Sequence, residues 1–289
     1  MSRRQAERMS RVKVWVIVAV ALCVAGGVGW RLVRVRTSPE PIVVHAKGPS
    51  PNDRLRRSLF AELQPVALTN CDIKRFGEVN DGGYLLCGNL LNDVQSGYSY
   101  GISGYDGWGC QVSRERKIKV HQYDCFNVNE PRCPGGATIF HAECVAGKRS
   151  TDEAGRLFDT PESQIAKNGD AGRHLIVKMD VEGAEWETFL NTPDAVLNQI
   201  DQLAVEFHGA NRQRFLDAIT RLKRFFYIAN LHFNNYSCSA ELPPFPAWAY
   251  EVLLVNKRLG IPDTAGSRPA ASAPNAPNNP KAEDCQGLP

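Results

Sequence analysis

Between residues 98 and 256, short apolar runs alternate with polar stretches long enough to form helices. The runs at 98–103 (YSYGIS), 119–124 (KVHQYD), 137–143 (ATIFHAE) and 174–180 (HLIVKMD) read as strands. So do those at 202–208 (QLAVEFH), 225–233 (FFYIANLHF) and 250–256 (YEVLLVN). In 212–224, Phe215, Leu216, Ile219 and Leu222 recur at i, i+1, i+4 and i+7, the spacing of an amphipathic helix. That helix lies between two strand candidates, as a crossover does. Leu175, Ile176 and Val177 form an unbroken apolar stretch, which predicts a strand buried on both faces. The alternation predicts an α/β fold with a largely parallel sheet and helices on both faces. Ligands of such sheets bind beyond the carboxyl ends of the strands, where the strand order reverses.

Outside this region the pattern changes. Residues 14–30 (VWVIVAVALCVAGGVGW) carry no charge, and as a helix they reach roughly 25 Å, the short end of a bilayer span. Arg3, Arg4, Arg8, Arg11 and Lys13 precede them. The expectation is a basic cytosolic tail over 1–13 and a transmembrane signal anchor over 14–30, with the domain lumenal or extracytoplasmic. A signal peptide cut after Ala25 is the rival reading, and it too exports the domain. Residues 31–63 read as a stem ending in a short amphipathic helix at 54–63. Residues 64–260 read as the folded domain. Residues 261–289, rich in Pro, Ala, Asn and Ser, read as a disordered tail.

The net charge is +3, and the basic residues crowd the first tail rather than the domain. No nucleic-acid module is recognisable, and no nucleic-acid partner is expected. Of nine cysteines, Cys23 falls in the apolar segment and eight remain, an even number that permits disulfides in an oxidising compartment. Cys125 and Cys133 flank an Asn/Pro-rich loop and are the favoured local pair. No zinc-type Cys/His spacing occurs, and no metal is expected.

Chemistry concentrates at three strand ends. YGISGYDGWG (100–109) supplies Gly101, Gly104 and Gly107, whose freedom at φ lets the backbone approach a ligand. VHQYDCF (120–126) puts Asp124 at the end of the next strand. A carboxylate there suits two ribose hydroxyls, and an Asx-turn is the plain alternative. KMDVEGAEWE (178–187) closes its strand with Asp180. Glu182 to Glu185 are expected to begin a helix with Trp186, Phe189 and Leu190 on its buried face. Glu185 and Glu187 then read as first-turn helix charges.

KMDVEGAEWE with the preceding HLIV resembles the strand–D-x-E-G-A-E signature of FkbM-type methyltransferases and related membrane-anchored methyltransferase-like proteins. NDGGYLL (80–86), YSYGISGYDGW, HFNNYSC and YEVLLVNK are similar to further segments of that group, in the same order, and together the likeness covers residues 70–256. The resemblance implies a Rossmann-like, seven-stranded, mostly parallel sheet with an antiparallel last strand, and S-adenosylmethionine as methyl donor. By that likeness Gly101 and Gly104 border the methionine part of the cofactor, and Ser103, Asp106 and Cys125 are further candidates for binding it. Asp124 borders the ribose, and Asp180, also a cofactor candidate, stands at the reacting edge. Tyr98 and Tyr100 occupy positions where that group often carries an acidic residue.

Methyl transfer from a sulfonium asks the protein to align an acceptor and, for a hydroxyl, to remove a proton. Asp180, Glu206 and His208 are the candidates for that work, with His232 at the end of the following strand. The first three would also suit a divalent ion, as a lesser expectation. The acceptor, a small molecule, glycan or protein side chain, is not legible. Two other classes compete: a Golgi-type glycosyltransferase, since Asp180-Val181-Glu182 imitates a metal-binding acidic pair, and a non-catalytic binding domain of the same fold.

Overall fold

The computed structural model describes residues 50–264 and 274–285. The chain opens with α1 (Pro51–Glu62), a hairpin of β1 (Ile73–Phe76) and β2 (Tyr84–Cys87), then β3 (Ser96–Tyr100), α2 (Gly107–Arg116) and β4 (Lys119–Tyr123). It continues through β5 (Ala137–His141), the short strands β6 (Cys144–Val145), β7 (Ser150–Thr151) and β8 (Leu157–Asp159), and α3 (Pro161–Lys167). The last part holds β9 (Leu175–Met179), α4 (Glu185–Asn191), α5 (Asp194–Gln199), β10 (Ile200–His208), α6 (Gln213–Leu222), β11 (Phe226–Phe233) and β12 (Ala249–Asn256).

Every run that reads as a strand in the sequence contributes to one seven-stranded sheet, ordered β11-β12-β10-β9-β3-β4-β5. The pairs β3–β4, β4–β5, β3–β9 and β9–β10 are parallel. β12 runs antiparallel to both β10 and β11. Read from the β5 edge, the seven strands therefore come third, second, first, fourth, fifth, seventh and sixth in the chain. The order reverses between β3 and β9. The register Tyr100↔Tyr123 and Tyr100↔Met179 brings Gly101, Asp124 and Asp180 to one edge at that reversal.

Strand alternation splits the core in two. On one face Leu175, Val177, Leu203, Val205 and Phe207 pack under α1, α4 and α6. Trp186 lies between Phe207 and Phe215, with ring centroids 4.4 and 4.2 Å away. On the other face Ile176, Ala204 and Leu253 meet Trp108 and Val112 of α2 and the β1–β2 hairpin. The helix expected over 212–224 forms as α6 and buries Phe215, Ala218, Ile219 and Leu222.

Several expectations are corrected. The helix placed in the stem belongs to the domain: Leu59 and Leu63 are fully buried in its core, and Arg56 Nε donates to Pro243 O at 3.1 Å. Over residues 274–285 the tail is pinned, not disordered. Asn278 Nδ2 donates to Glu251 Oε1 at 2.8 Å, Asn279 N–H donates to Asn235 Oδ1 at 2.7 Å, and Cys285 is bonded to Cys238. These polar contacts and the cross-link order a segment that has little apolar surface. Cys125 pairs with Cys144, and Cys133 with Cys110, so the expected Cys125–Cys133 pair is replaced. Parallel pairing of β4 with β5 carries the chain across the sheet edge and brings Cys144 back to Cys125. Cys71–Cys87 completes the set. The anchor at 14–30 lies outside the described residues. Among the described residues no helix is long and apolar enough to cross a membrane.

Candidate functional site

A cavity of about 530 Å³ opens at the carboxyl ends of β3, β4 and β9. Gly101, Ser103, Asp124 and Asp180 line it, with Phe126 and Phe158 among its apolar walls. The backbone there is tightly tied. Gly101 N–H donates to Tyr123 O at 3.0 Å, and Asp180 N–H to Tyr100 O at 3.1 Å. Gly101 has φ +73°, and a Cβ on it would run into the Asp180 carbonyl. Only glycine fits this approach of two strand ends. A second recess of about 600 Å³ opens at the amino ends of β9 and β10, lined by Arg173, His174 and Arg258. It holds none of the residues singled out above, and it lies at the end of a parallel sheet opposite to where ligands bind.

Asp124 organises the cavity rim. Its Oδ2 accepts the N–H of Ser103 at 2.7 Å, and its Oδ1 accepts those of Phe126 and Asn127 at 2.8 and 3.0 Å. Ser103 is held at φ +47° by this bond and its neighbours. Of the roughly four acceptor positions on a carboxylate, one remains. Asp124 therefore has room for one further hydroxyl, not the two that its type suggests in isolation. The Asx-turn reading and the ligand reading thus apply to different lone pairs of one side chain.

The other cofactor candidates divide. Gly104, at φ +80°, packs against the Asn127 side chain and does not line the cavity. Asp106 is buried as the N-cap of α2, where it accepts from Gly109 N–H and Gln122 Nε2, both at 2.8 Å. Burial raises its carboxyl above the ordinary range despite those donors. It does not line the cavity. Cys125 is spent in the disulfide with Cys144, which itself lines the cavity. Tyr98 and Tyr100 lie in the core beneath the sheet.

At the Asp180 corner the structure gathers more than the sequence suggested. Asp180 Oδ2 accepts from the Tyr84 hydroxyl at 2.9 Å and lies 3.8 Å from Lys178 Nζ. Lys178 is itself buried and donates to Gly101 O at 2.7 Å and Tyr100 O at 3.2 Å. His208 turns Nε2 toward Glu182 Oε2 at 3.5 Å, Glu206 Oε1 at 3.6 Å and Asp180 Oδ1 at 3.9 Å. Its Nδ1 lies 3.1 Å from Glu185 Oε1. Burial pushes the Glu206 carboxyl up, and the charges of Asp180 and Glu251 carry it further, to about 8. For His208, burial alone lowers the imidazole, but the bond to Glu185 and the charges of Glu185, Glu206 and Asp180 outweigh it and lift it to about 9. His232 stands apart: it faces Glu251 and the tail residue Asp284, each at 3.5 Å.

Two readings of the acidic stretch change. Glu182 does not begin a helix. It sits in a turn at φ +53°, and α4 starts at Glu185 after Ala184. Glu185 is no surface charge of a first helical turn. It has no exposed area and accepts the N–H groups of Val181 at 2.9 Å and Gly183 at 3.2 Å. Glu187 is exposed, as expected. One ligand atom each from Asp180, Glu182 and His208 fall within 4.8 Å of one another, a grouping able to hold a metal ion.

The residues missed from the sequence are Tyr84, Lys178, Glu185, Phe126 and Phe158. A lysine inside an apolar strand run was a signal for Lys178. Nothing local marks Phe158, which β8 delivers from a separate small sheet. No protein-family model matches this chain, and no curated protein matches it.

Proposed function

We propose that this chain is an S-adenosylmethionine-dependent methyltransferase with a Rossmann-like domain, acting on a hydroxyl of a small molecule or glycan. The observation that carries the reading is the convergence of Gly101, Ser103, Asp124 and Asp180, from three neighbouring strand ends, on one cavity at the point where the strand order reverses. A reversed last strand in a seven-stranded sheet is also what the likeness to FkbM-type methyltransferases implies. The cavity volume falls within the roughly 300–1,000 Å³ of small-molecule sites.

In this reading the glycine turn at Gly101 admits the methionine part of the cofactor. The free lone pair of Asp124 takes one ribose hydroxyl. Phe126 and Phe158, with centroids 6.3 Å apart, offer apolar faces to the purine. The methyl group points to the Asp180 corner, where Asp180, Glu206 and His208 surround the position an acceptor hydroxyl must take. Four disulfides in the described domain accord with an oxidising compartment, and with residues 14–30 as the membrane anchor that carries the domain there.

A nucleotide-sugar transferase is the second reading. The observation favouring it is the loop position of Glu182, which leaves Asp180 and Glu182 free to act as an acidic pair.

Calorimetric titration of the purified full chain with S-adenosylhomocysteine tests the proposal. Micromolar binding that Phe126→Ala weakens and Asp124→Asn weakens further, with circular dichroism unchanged, is the expected result. No binding by the folded wild-type protein overturns it, and uptake of UDP with Mn²⁺ instead selects the second reading.

A further inference from the structure

We infer that Asp180, Glu182 and His208 form a binding site for one divalent first-row cation at the edge of the cavity. Acidic residues near one another are common, so the inference rests on the histidine. The His208 side chain is nine-tenths buried. Its Nδ1 is committed to Glu185, a carboxylate without exposed surface. A carboxylate on one ring nitrogen orients the ring, and a cation that displaces the proton of the other nitrogen is coordinated there, the arrangement around most metal-bound histidines. Nε2 makes no hydrogen bond. It faces Glu182, Glu206 and Asp180 at 3.5 to 3.9 Å, beyond the usual 2.7–3.2 Å of an N–H···O bond. Bonds of about 2.1 Å from a cation to oxygen and nitrogen ligands leave neighbouring ligands roughly 3 Å or more apart. A small inward movement of side chains brings all three donors onto one ion.

The surroundings supply the rest of the argument. Asp180, Glu182, Glu185 and Glu206 place four carboxylates about a single imidazole. Lys178, the nearby cation, is engaged with the Tyr100 and Gly101 carbonyls. Asp180 is anchored on its other oxygen by Tyr84, so Oδ1 is the one left facing the site. Glu182 is largely exposed, and its turn is held by Glu185 through the N–H groups on either side of it. Asp180 and Glu182 also line the cavity, so an ion held there borders the space where ligand sits. A mixed imidazole–carboxylate set suits Mn²⁺ or Zn²⁺ better than a pure oxygen cation.

The binding stands on these contacts alone; its role rests on the methyl-transfer reading. In that reading the acceptor hydroxyl coordinates the ion, which stabilises its alkoxide. The hydroxyl proton is released to solvent, which reaches the site past the exposed Glu182. The oxygen attacks the sulfonium methyl, the S–CH₃ bond breaks with its electron pair returning to sulfur, and an O–CH₃ bond forms. His208 is then a ligand and not the base.

The test is titration of the full chain with Mn²⁺ alone, followed by loss of the free-ion electron paramagnetic resonance signal. One site per chain is expected, weakened at least tenfold in Glu182→Gln and absent in His208→Asn. Glu187→Gln, on the exposed side of α4, should bind as wild type. Overturning results are no Mn²⁺ uptake by the folded wild type, or equal uptake by Glu182→Gln and His208→Asn. Because no nucleoside is present, Mn²⁺ binding without S-adenosylhomocysteine binding removes only the methyltransferase reading. The converse result removes only the cation site.

Discussion

Oε1 of Glu185, a carboxylate with no exposed surface, lies 3.1 Å from Nδ1 of His208, twenty-three positions later in the chain. The same oxygen accepts the N–H groups of Val181 and Gly183. One buried atom thereby shapes the turn that carries Glu182 and orients the imidazole that faces it. Replacing Glu185 by alanine leaves two backbone donors and a histidine without their acceptor in a dry site. Stability should fall by about 3 kcal/mol or more. Urea unfolding of Glu185→Ala against wild type checks this, and an unchanged midpoint would remove Glu185 from the centre of the site.

Gly101 and Gly135 share nearly the same backbone conformation, with φ +73° and +77°. Their surroundings differ. A Cβ at Gly135 meets nothing within 4 Å, whereas one at Gly101 collides with the Asp180 backbone. Gly135→Ala should cost about 1 kcal/mol from backbone strain alone. Gly101→Ala should cost clearly more and abolish ligand uptake in the cavity. Thermal melts of the two variants decide between local strain and a required approach of strands.

The Cys238–Cys285 bond spans 47 positions and closes the tail over β11 and β12. By loop entropy, a cross-link of that span contributes about 4 kcal/mol, with native-state strain reducing it. Cys285→Ser should therefore lower stability by roughly 2–4 kcal/mol and expose residues 274–285 to protease. Limited proteolysis with mass spectrometry reads the second effect directly. Equal cleavage of both proteins would mean that the asparagine contacts alone hold the tail.

His121 sets a pH dependence away from the cavity. Burial pushes its imidazole down from 6.5 to about 4, helped by His141 and Lys119 and opposed by Asp170. Its Nδ1 lies 3.0 Å from His141 Nε2, and its Nε2 3.5 Å from Asp170. The unfolded chain takes up a proton near pH 6.5 and the folded chain only near pH 4. Stability contributed by neutral His121 is whole above pH 6.5 and is lost as pH falls toward 4, by at most about 3 kcal/mol. His121→Phe should flatten that part of the curve. Urea midpoints at pH 7, 5.5 and 4.5 measure it, and identical slopes in the two proteins would contradict it.

The sheet was legible because its signal is local. Apolar runs of strand length, and the i, i+4, i+7 spacing of Phe215, Ile219 and Leu222, follow from periodicities that neighbouring residues impose. Gly101, Asp124 and Asp180 were legible for a related reason: in a parallel sheet the residue after each apolar run is carried to the same edge. Other features depended on pairings distant in the chain. Cys125 joins Cys144 because β4 and β5 are parallel, and residues 274–285 are ordered by partners 27 to 197 positions away. Glu185 has the sequence context of an exposed helical charge, and only the approach of His208 on β10 makes it a buried acceptor. Local patterning determined which segments are strands and which of their ends carry polar chemistry. Tertiary packing alone decided which of those polar groups share lone pairs, charge and burial, since desolvation and long-range contacts exist only once the sheet has formed.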